Sequence, residues 1–172
     1  MEAINVQGTR NVVEACLHCG VKRLIHLSSI HALEQEPLST PIDEDRPRVG
    51  ADSQYAYDRS KAAAETEVRS GIERGLNAVI LNPTGIIGPY DFKPSYTGKA
   101  LIALAEKRLP ALVNGGFDWV DVRDVVTGMI QAEKLAAPGT NYLLSGYWRS
   151  LRQIAALVSD FSQTKAPRLT LP

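Results

Sequence analysis

Apolar residues along the chain change repeatedly between helical spacing and short continuous runs. Three runs predict strands, at residues 23–29, 78–81 and 141–144. Apolar positions at helical spacing predict helices at residues 2–19, 56–74, 97–107, 121–135 and 151–161. A proline-bearing polar stretch, residues 31–54, and the sequence Asn82-Pro83-Thr84-Gly85 predict a loop and a turn.

This order of elements predicts the fold class. Strands that alternate with helices indicate parallel pairing through right-handed crossovers, hence an α/β fold with a parallel sheet flanked by helices. The run at 78–81 is apolar without interruption, which is typical of a strand buried on both faces. The sequence has no internal repeat or clear linker, so we expect a single domain over residues 1–172.

Composition and charge exclude several classes of function. The 172 residues are 44% hydrophobic and 22% charged, and 19 Lys and Arg balance 19 Asp and Glu, which argues against a nucleic-acid partner. Cys16 and Cys19 have no second Cys/His pair nearby, so no metal site is expected and both thiols should be reduced. Without a signal peptide or a membrane span in the sequence, we expect a cytoplasmic protein.

The sequence Tyr57-Asp58-Arg59-Ser60-Lys61 carries the clearest chemistry. A spacing of four places Tyr57 and Lys61 on one face of the predicted helix. An ammonium beside a phenol stabilises the phenolate, which suits a group that exchanges protons with a carbonyl or alcohol. The chain has six tyrosines, so this spacing also arises by chance and the pair depends on its context.

Polar residues follow two of the predicted strands and supply that context. Ser28-Ser29 ends the first strand, and Asn82-Pro83-Thr84-Gly85 ends the second. Ligands of open α/β sheets bind at the carboxyl ends of strands. A proline-glycine turn there is equally explained as a structural turn that ends the strand and has no role in binding.

Five ordered motifs, which cover nearly the whole chain, carry a family resemblance. They are Asn5-Val6-x-Gly8-Thr9-x-Asn11-Val12, Leu27-Ser28-Ser29, Tyr57-x-x-x-Lys61, Asn82-Pro83-Thr84-Gly85-Ile86-Ile87-Gly88-Pro89-x-Asp91 and Val120-Asp121-Val122-Arg123-Asp124-Val125. In order and spacing the chain resembles the extended short-chain dehydrogenases/reductases, in particular the dihydroflavonol-reductase-like and NAD-dependent epimerase/dehydratase members.

The resemblance implies a role for each matching residue. Tyr57 would be the general acid/base, and Lys61 would bind the nicotinamide ribose. Ser29, rather than Ser28, would hydrogen-bond the substrate oxygen, and Asn5 would support a proton relay. The residues that would line the nicotinamide are Pro83, Thr84 and Ile86. The residues that fall at the substrate pocket are His31, Tyr90 and Tyr96, with a solvated loop histidine as the alternative for His31.

The family also begins with a glycine-rich turn that holds the cofactor pyrophosphate. This sequence has no Gly-x-x-Gly-x-x-Gly, and Gly115-Gly116 does not match it. The resemblance therefore implies a Rossmann-like sheet truncated at its N-terminal side. NAD or NADP is the expected cofactor, not tightly bound by this chain alone, and a small-molecule carbonyl or alcohol is the expected substrate.

Two functions remain open from the sequence. The first is an NAD(P)-dependent oxidoreductase or epimerase with Ser29, Tyr57 and Lys61 as catalytic residues. The second is a catalytically idle fragment that self-associates or is surface-active through its uncovered sheet edge and apolar faces. A homo-oligomer is expected in either case. The resemblance implies that the helix of Tyr57 and Lys61 packs against its counterpart in a second subunit, and Ala56, Ala62, Ala63 and Ala64 leave it slim enough for that approach. Association would also cover the uncovered sheet edge and apolar faces.

Overall fold

The computed structural model describes residues 2–172 and divides into two compact units. The first comprises the residues up to Pro83 together with Val125–Leu144, and the second comprises Thr84–Asp124 and Ser145–Pro172. Compact units of this size also occur within one domain, so the single domain expected from the sequence stays a prediction.

The secondary structure is an alternation of helices and short strands. The helices are α1 Gly8–His18, α2 Ala56–Glu73, α3 Tyr96–Ala105, α4 Val122–Leu135 and α5 Leu151–Ser162. The strands are β1 Leu24–Leu27, β2 Ala78–Pro83, β3 Gly85–Ile87, β4 Ala111–Val113, β5 Gly116–Asp121, β6 Asn141–Leu144, β7 Tyr147–Ser150 and β8 Leu169–Leu171. A π-helical turn, Ala3–Gln7, precedes α1, and a 3-10 turn, Ile30–Ala32, follows β1. Among the helices that the structure describes, none has the length and apolar character needed to cross a membrane.

The first unit is built on a parallel sheet with strand order β1-β2-β6. On one face Ala78 and Ile80 of β2 pack against Val68 of α2 in a cluster that α1 completes. On the other face Val79 and Leu81 pack against Ala132 of α4. Because β2 lies between two apolar layers, all of its residues are buried. The predicted α/β class, with a parallel sheet flanked by helices, is confirmed.

The ends of the sheet differ from the prediction at one point. Strand β2 continues through Asn82 and Pro83, where the sequence predicts a turn. Proline is compatible with pairing here because it is the last residue of the strand. Strand β1 is an edge of the sheet within the described part of the chain, as the sequence leads one to expect.

The second unit has strands that sequence reasoning missed. Strand β5 pairs in parallel with β3 and antiparallel with β7, and β4 pairs with β8. Helices α3 and α5 enclose a small core of Leu104, Leu112 and Ala155. These strands are short and only partly buried, so they carry neither a continuous apolar run nor a clean alternation.

Helices α1 and α2 approach each other closely at Gly71. A Cβ at this position would lie 2.6 Å from Cγ1 of Val13 and 3.2 Å from Cδ2 of Leu76. Val13 is buried and β-branched, so its side chain cannot easily move away. Gly71 therefore sets the distance between α1 and α2.

We expect Gly71→Ala to lower the free energy of unfolding by about 1–3 kcal/mol, because the added methyl group overpacks the core. The matched control is Gly8→Ala, where a Cβ would meet nothing within 4 Å. There the better helix propensity of alanine should stabilise the chain by up to about 1 kcal/mol. Urea unfolding followed by circular dichroism measures both changes, and a Gly71→Ala protein as stable as the Gly8→Ala protein would contradict the packing described above.

Candidate active site

Tyr57 and Lys61 lie side by side in the first half of α2. The Nζ atom of Lys61 is 6.0 Å from the centroid of the Tyr57 ring, so both side chains occupy one face of the helix, as the spacing predicts. Tyr57 is 41% exposed, and Lys61 is partly buried. Burial lowers the pKa of Lys61, and the nearby carboxylate of Glu65 opposes this effect.

The two serines after β1 have different surroundings. Ser29 caps the 3-10 turn, and its Oγ accepts the backbone N–H of His31 at 3.2 Å. The Ser29 hydroxyl hydrogen is still able to donate to a second oxygen, because the hydroxyl serves as acceptor in this bond. Ser28 Oγ is buried and forms no hydrogen bond within residues 2–172. Both serines are buried, and the choice of Ser29 over Ser28 as the substrate donor stays a prediction.

His31 lies in the 3-10 turn after β1, and its half-exposed side chain lies near the start of α2. Its ring stands edge-on to the Tyr57 ring, with centroids 5.8 Å apart. Its Nδ1 lies 3.4 Å from Oδ1 of Asp58, a buried carboxylate that the sequence analysis did not single out. Tyr57 thus has both the Lys61 ammonium and the His31 imidazole as neighbours.

Asn5 lies in the π-helical turn before α1 and is tied to the same helix. Its Nδ2 donates to Ser60 Oγ at 2.9 Å, and Ser60 Oγ donates to the backbone carbonyl of Tyr57 at 2.7 Å. Asn5 and Lys61 also line a cavity of about 380 Å³ that includes His26 of β1. Of the predicted residues in the first unit, Tyr57 and Lys61 therefore lie on α2, and Asn5 is hydrogen-bonded to α2. Ser29 follows the end of β1.

His26 is a titratable residue that sequence reasoning missed. Its Nε2 is buried and has no hydrogen-bond partner among the described residues. Burial, and to a smaller extent the positive charge of Lys61, lowers the pKa of His26 to about 4. A single polar residue inside the apolar run Leu24-Ile25-His26-Leu27 was the available signal.

Glu65 and Asn82 form a buried polar pair that sequence reasoning also missed. Asn82 Nδ2 donates to Glu65 Oε1 at 2.6 Å and to the backbone carbonyl of Ser29 at 2.9 Å. Glu65 is 1% exposed and Asn82 is fully buried. Glu65 follows Lys61 by four residues, so the helical spacing that relates Tyr57 to Lys61 extends to it.

The other predicted residues lie at the end of β2 or beyond it. Pro83 is buried at the last position of β2 in the first unit. In the second unit Thr84 Oγ1 donates to Asp118 Oδ1 at 2.7 Å. Ile86 and Tyr90 line a cavity of about 580 Å³, whereas Tyr96 is almost fully exposed at the start of α3. In the part of the chain that the structure describes, no three His, Cys, Asp or Glu side chains form a group suited to a metal ion.

The chain matches the NAD dependent epimerase/dehydratase family over residues 1–143. Among curated proteins, the chain is 34% identical to sterol demethylase protein B of Methylococcus capsulatus and 33% identical to a putative dihydroflavonol 4-reductase of Synechocystis sp.. Each alignment covers 98% of this chain. It covers 51% of the first relative and 50% of the second, so the chain spans about half the length of these curated relatives.

Two solved structures are similar to this chain in fold. The crystal structure of gox2253 is 36% identical, with a TM-score of 0.93 over 99% of this chain and 52% of that one. The structure of RMD from Pseudomonas aeruginosa complexed with NADPH has a TM-score of 0.81 over 99% of this chain and 61% of that one. At 23% identity, this second likeness shows a common fold.

The buried His26 predicts a specific loss of stability in acid. The unfolded chain takes up a proton on this histidine near pH 6.5, whereas the folded chain does so only near pH 4. Stability from this group is therefore complete above pH 6.5 and is lost as the pH falls toward 4, by at most about 3 kcal/mol.

Replacement of His26 by leucine should remove this part of the pH dependence. We expect urea unfolding at pH 7 and pH 4.5 to show a smaller acid loss for His26→Leu than for the wild type. His18→Gln, which changes an exposed histidine of α1, should behave like the wild type. Equal acid losses in wild type and His26→Leu would show that His26 is not held neutral by burial.

Proposed function

The chain belongs to the NAD dependent epimerase/dehydratase family, and we propose that its first unit carries the acid–base groups of an NAD(P)-dependent oxidoreductase site. The substrate group would be a carbonyl or alcohol on a small molecule. The observation that carries the proposal is the pairing of Tyr57 with the partly buried Lys61 on α2. A positioned phenol next to an ammonium is suited to proton transfer at such an oxygen.

In this proposal Tyr57 exchanges the proton. During reduction its phenol donates a proton to the carbonyl oxygen, and during oxidation its phenolate takes the proton from the alcohol. Ser29 donates a hydrogen bond to the same oxygen, which is supported by the bond from His31 N–H that orients its Oγ. Asn5 supports the site through Ser60, which fixes the first turn of α2 at the Tyr57 carbonyl.

The residues of this chain suit the nicotinamide end of the cofactor. Lys61 presents three donors next to a cavity, which fits the hydroxyl groups of the nicotinamide ribose. When bound, the nicotinamide supplies or accepts a hydride at the substrate carbon. By the family resemblance, Pro83, which is the last residue of β2, and Thr84 and Ile86 beyond it would line the nicotinamide. Because the sequence has no glycine-rich turn for the pyrophosphate, we expect this chain alone to bind NAD or NADP weakly.

By the family resemblance, the substrate side would include His31, Tyr90 and Tyr96. Within the first unit, His31 contacts Tyr57. The names of the relatives, sterol demethylase protein B and dihydroflavonol 4-reductase, point to ring-containing alcohols or ketones. The substrates to be tested therefore include a sterol ketone and a dihydroflavonol.

The experiment is turnover of NADH and NADPH, followed by absorbance, with a panel of aldehydes and ketones that includes both compounds. We expect Tyr57→Phe and Lys61→Ala to lower the rate at least about a hundredfold, because a positioned acid/base contributes that much or more. Tyr55→Phe is the matched control, since Tyr55 is an exposed tyrosine just before α2. It should keep the wild-type rate.

Two results would contradict the proposal. One is a wild-type chain with no turnover for any substrate at millimolar cofactor. The other is turnover that Tyr57→Phe and Lys61→Ala reduce no more than Tyr55→Phe does.

Self-association is a second candidate function, favoured by the apolar surface beside β1. Leu27 on this edge strand is 37% exposed and lines the cavity of about 380 Å³ described above. Ile4 and Val12 line the same cavity and are 79% and 49% exposed. An exposed edge with apolar neighbours is suited to pairing with a second copy. Ala62 and Ala64 contribute little to such a contact, because they are buried within the unit.

Light scattering at micromolar concentration should give a dimer or a larger mass for the wild type. The double variant Ile4→Lys and Val12→Lys should give a monomer, because it places charge on this surface. Leu157→Lys, at an exposed apolar position of α5, is the control and should leave the mass unchanged. A monomeric wild type would rule out this candidate function.

A further inference from the structure

We propose that Glu65 is a positioning residue of this site, which joins the helix of Tyr57 and Lys61 to the strand end that carries Ser29. The proposal rests on the oxidoreductase function proposed above, since it concerns how those three groups are held together. It adds a residue that acts through others and touches neither substrate nor cofactor.

The first step is the position of Glu65 on α2. Tyr57, Lys61 and Glu65 follow one another at intervals of four residues, so they lie one turn apart along one face. Tyr57 is the most exposed of the three and Glu65 the most buried. The stripe therefore runs from the surface into the interior, and Glu65 is its inner end.

The second step is the bridge through Asn82. A side-chain amide has two N–H hydrogens, and Asn82 Nδ2 has two acceptors, Glu65 Oε1 and the backbone carbonyl of Ser29. The Ser29 carbonyl also accepts the N–H of Ala32 in the 3-10 turn, at 3.0 Å. One amide thus connects α2, β2 and the turn that orients the Ser29 hydroxyl. Any shift of Glu65 would be transmitted to Ser29.

The third step is the charge. A buried carboxylate is costly unless it is hydrogen-bonded or paired, and an apolar residue is often as good for stability. The charged or titratable groups near the Lys61 ammonium are Tyr57 and Glu65 on its own helix and His26 on β1. Burial lowers the pKa of Lys61, and the nearby Glu65 opposes this lowering, so Glu65 favours the charged form of Lys61.

The experiment separates the charge of Glu65 from its hydrogen bond. Glu65→Gln keeps a side-chain oxygen that can accept from Asn82 but removes the negative charge. The control is Glu67→Gln, which removes a carboxylate from the same helix at a surface ion pair with Arg10. The measurement is the titration of Lys61 by NMR of its side chain, assigned by comparison with Lys61→Arg, in the full chain without ligand.

We expect Glu65→Gln to shift the titration of Lys61 to lower pH and Glu67→Gln to leave it close to the wild type. The proposal is overturned if Glu65→Gln leaves the Lys61 titration unchanged. This measurement needs neither cofactor nor substrate. A chain without turnover whose Lys61 titration still depends on Glu65 would therefore refute the proposed function and leave the role of Glu65 standing.

A second variant tests the hydrogen-bonded bridge from Glu65 through Asn82 to the Ser29 carbonyl. It also provides a test of the proposal if the Glu65→Gln protein does not fold. Glu65→Asp keeps the charge but shortens the side chain, which draws the carboxylate away from Asn82. We expect the Ala32 amide, which shares the Ser29 carbonyl with Asn82, to exchange its hydrogen at least several-fold faster than in the wild type. An exchange rate equal to that of the wild type would show that Glu65 does not position this turn.

Discussion

The packing of α2 on one face of the parallel sheet is the constraint on which the rest of the site depends. Val68 and Ile72 of α2 pack with Ala78 and Ile80 of β2 in the body of the sheet. One and two turns earlier, the same stripe carries Glu65 and Lys61 instead of apolar residues. The contact between α2 and the sheet is thus apolar along the strands and polar where β1 and β2 end. Lys61 and Tyr57 lie at this polar end, near the carboxyl ends of the strands.

The buried polar residues at this end of the sheet have an energetic cost, which the apolar packing of α2 on the sheet offsets. Glu65 and Asn82 are buried, Asn82 Oδ1 and Ser28 Oγ have no partner among the described residues, and burial keeps His26 neutral. Buried polar groups with incomplete hydrogen bonding each cost roughly 1–3 kcal/mol. Such a cluster is expected where function rather than stability selects the residues, as in sites that tune proton transfer.

Much of this arrangement could be predicted from the sequence, because it depends on the spacing of residues that are close together in the chain. The interval between Tyr57 and Lys61 predicts one helical face, and the serines after an apolar run predict a strand end. Glu65, Asn82 and His26 could not be assigned in this way, because their importance comes from burial and from bonds between residues far apart in the chain. Pro83 was predicted in a turn because proline usually interrupts strands, and only pairing with β6 makes it the last residue of β2.

The central proposal is that the end of β1 and the first turns of α2 would hold the nicotinamide end of a cofactor. Backbone amide NMR of the full chain, titrated with NADH to millimolar concentration, tests it without requiring turnover. The account predicts saturable shifts concentrated at His26–Ser29 and at Tyr57–Lys61, with weak affinity. Saturable shifts confined to other residues, or no shifts at these positions at any concentration, would contradict it.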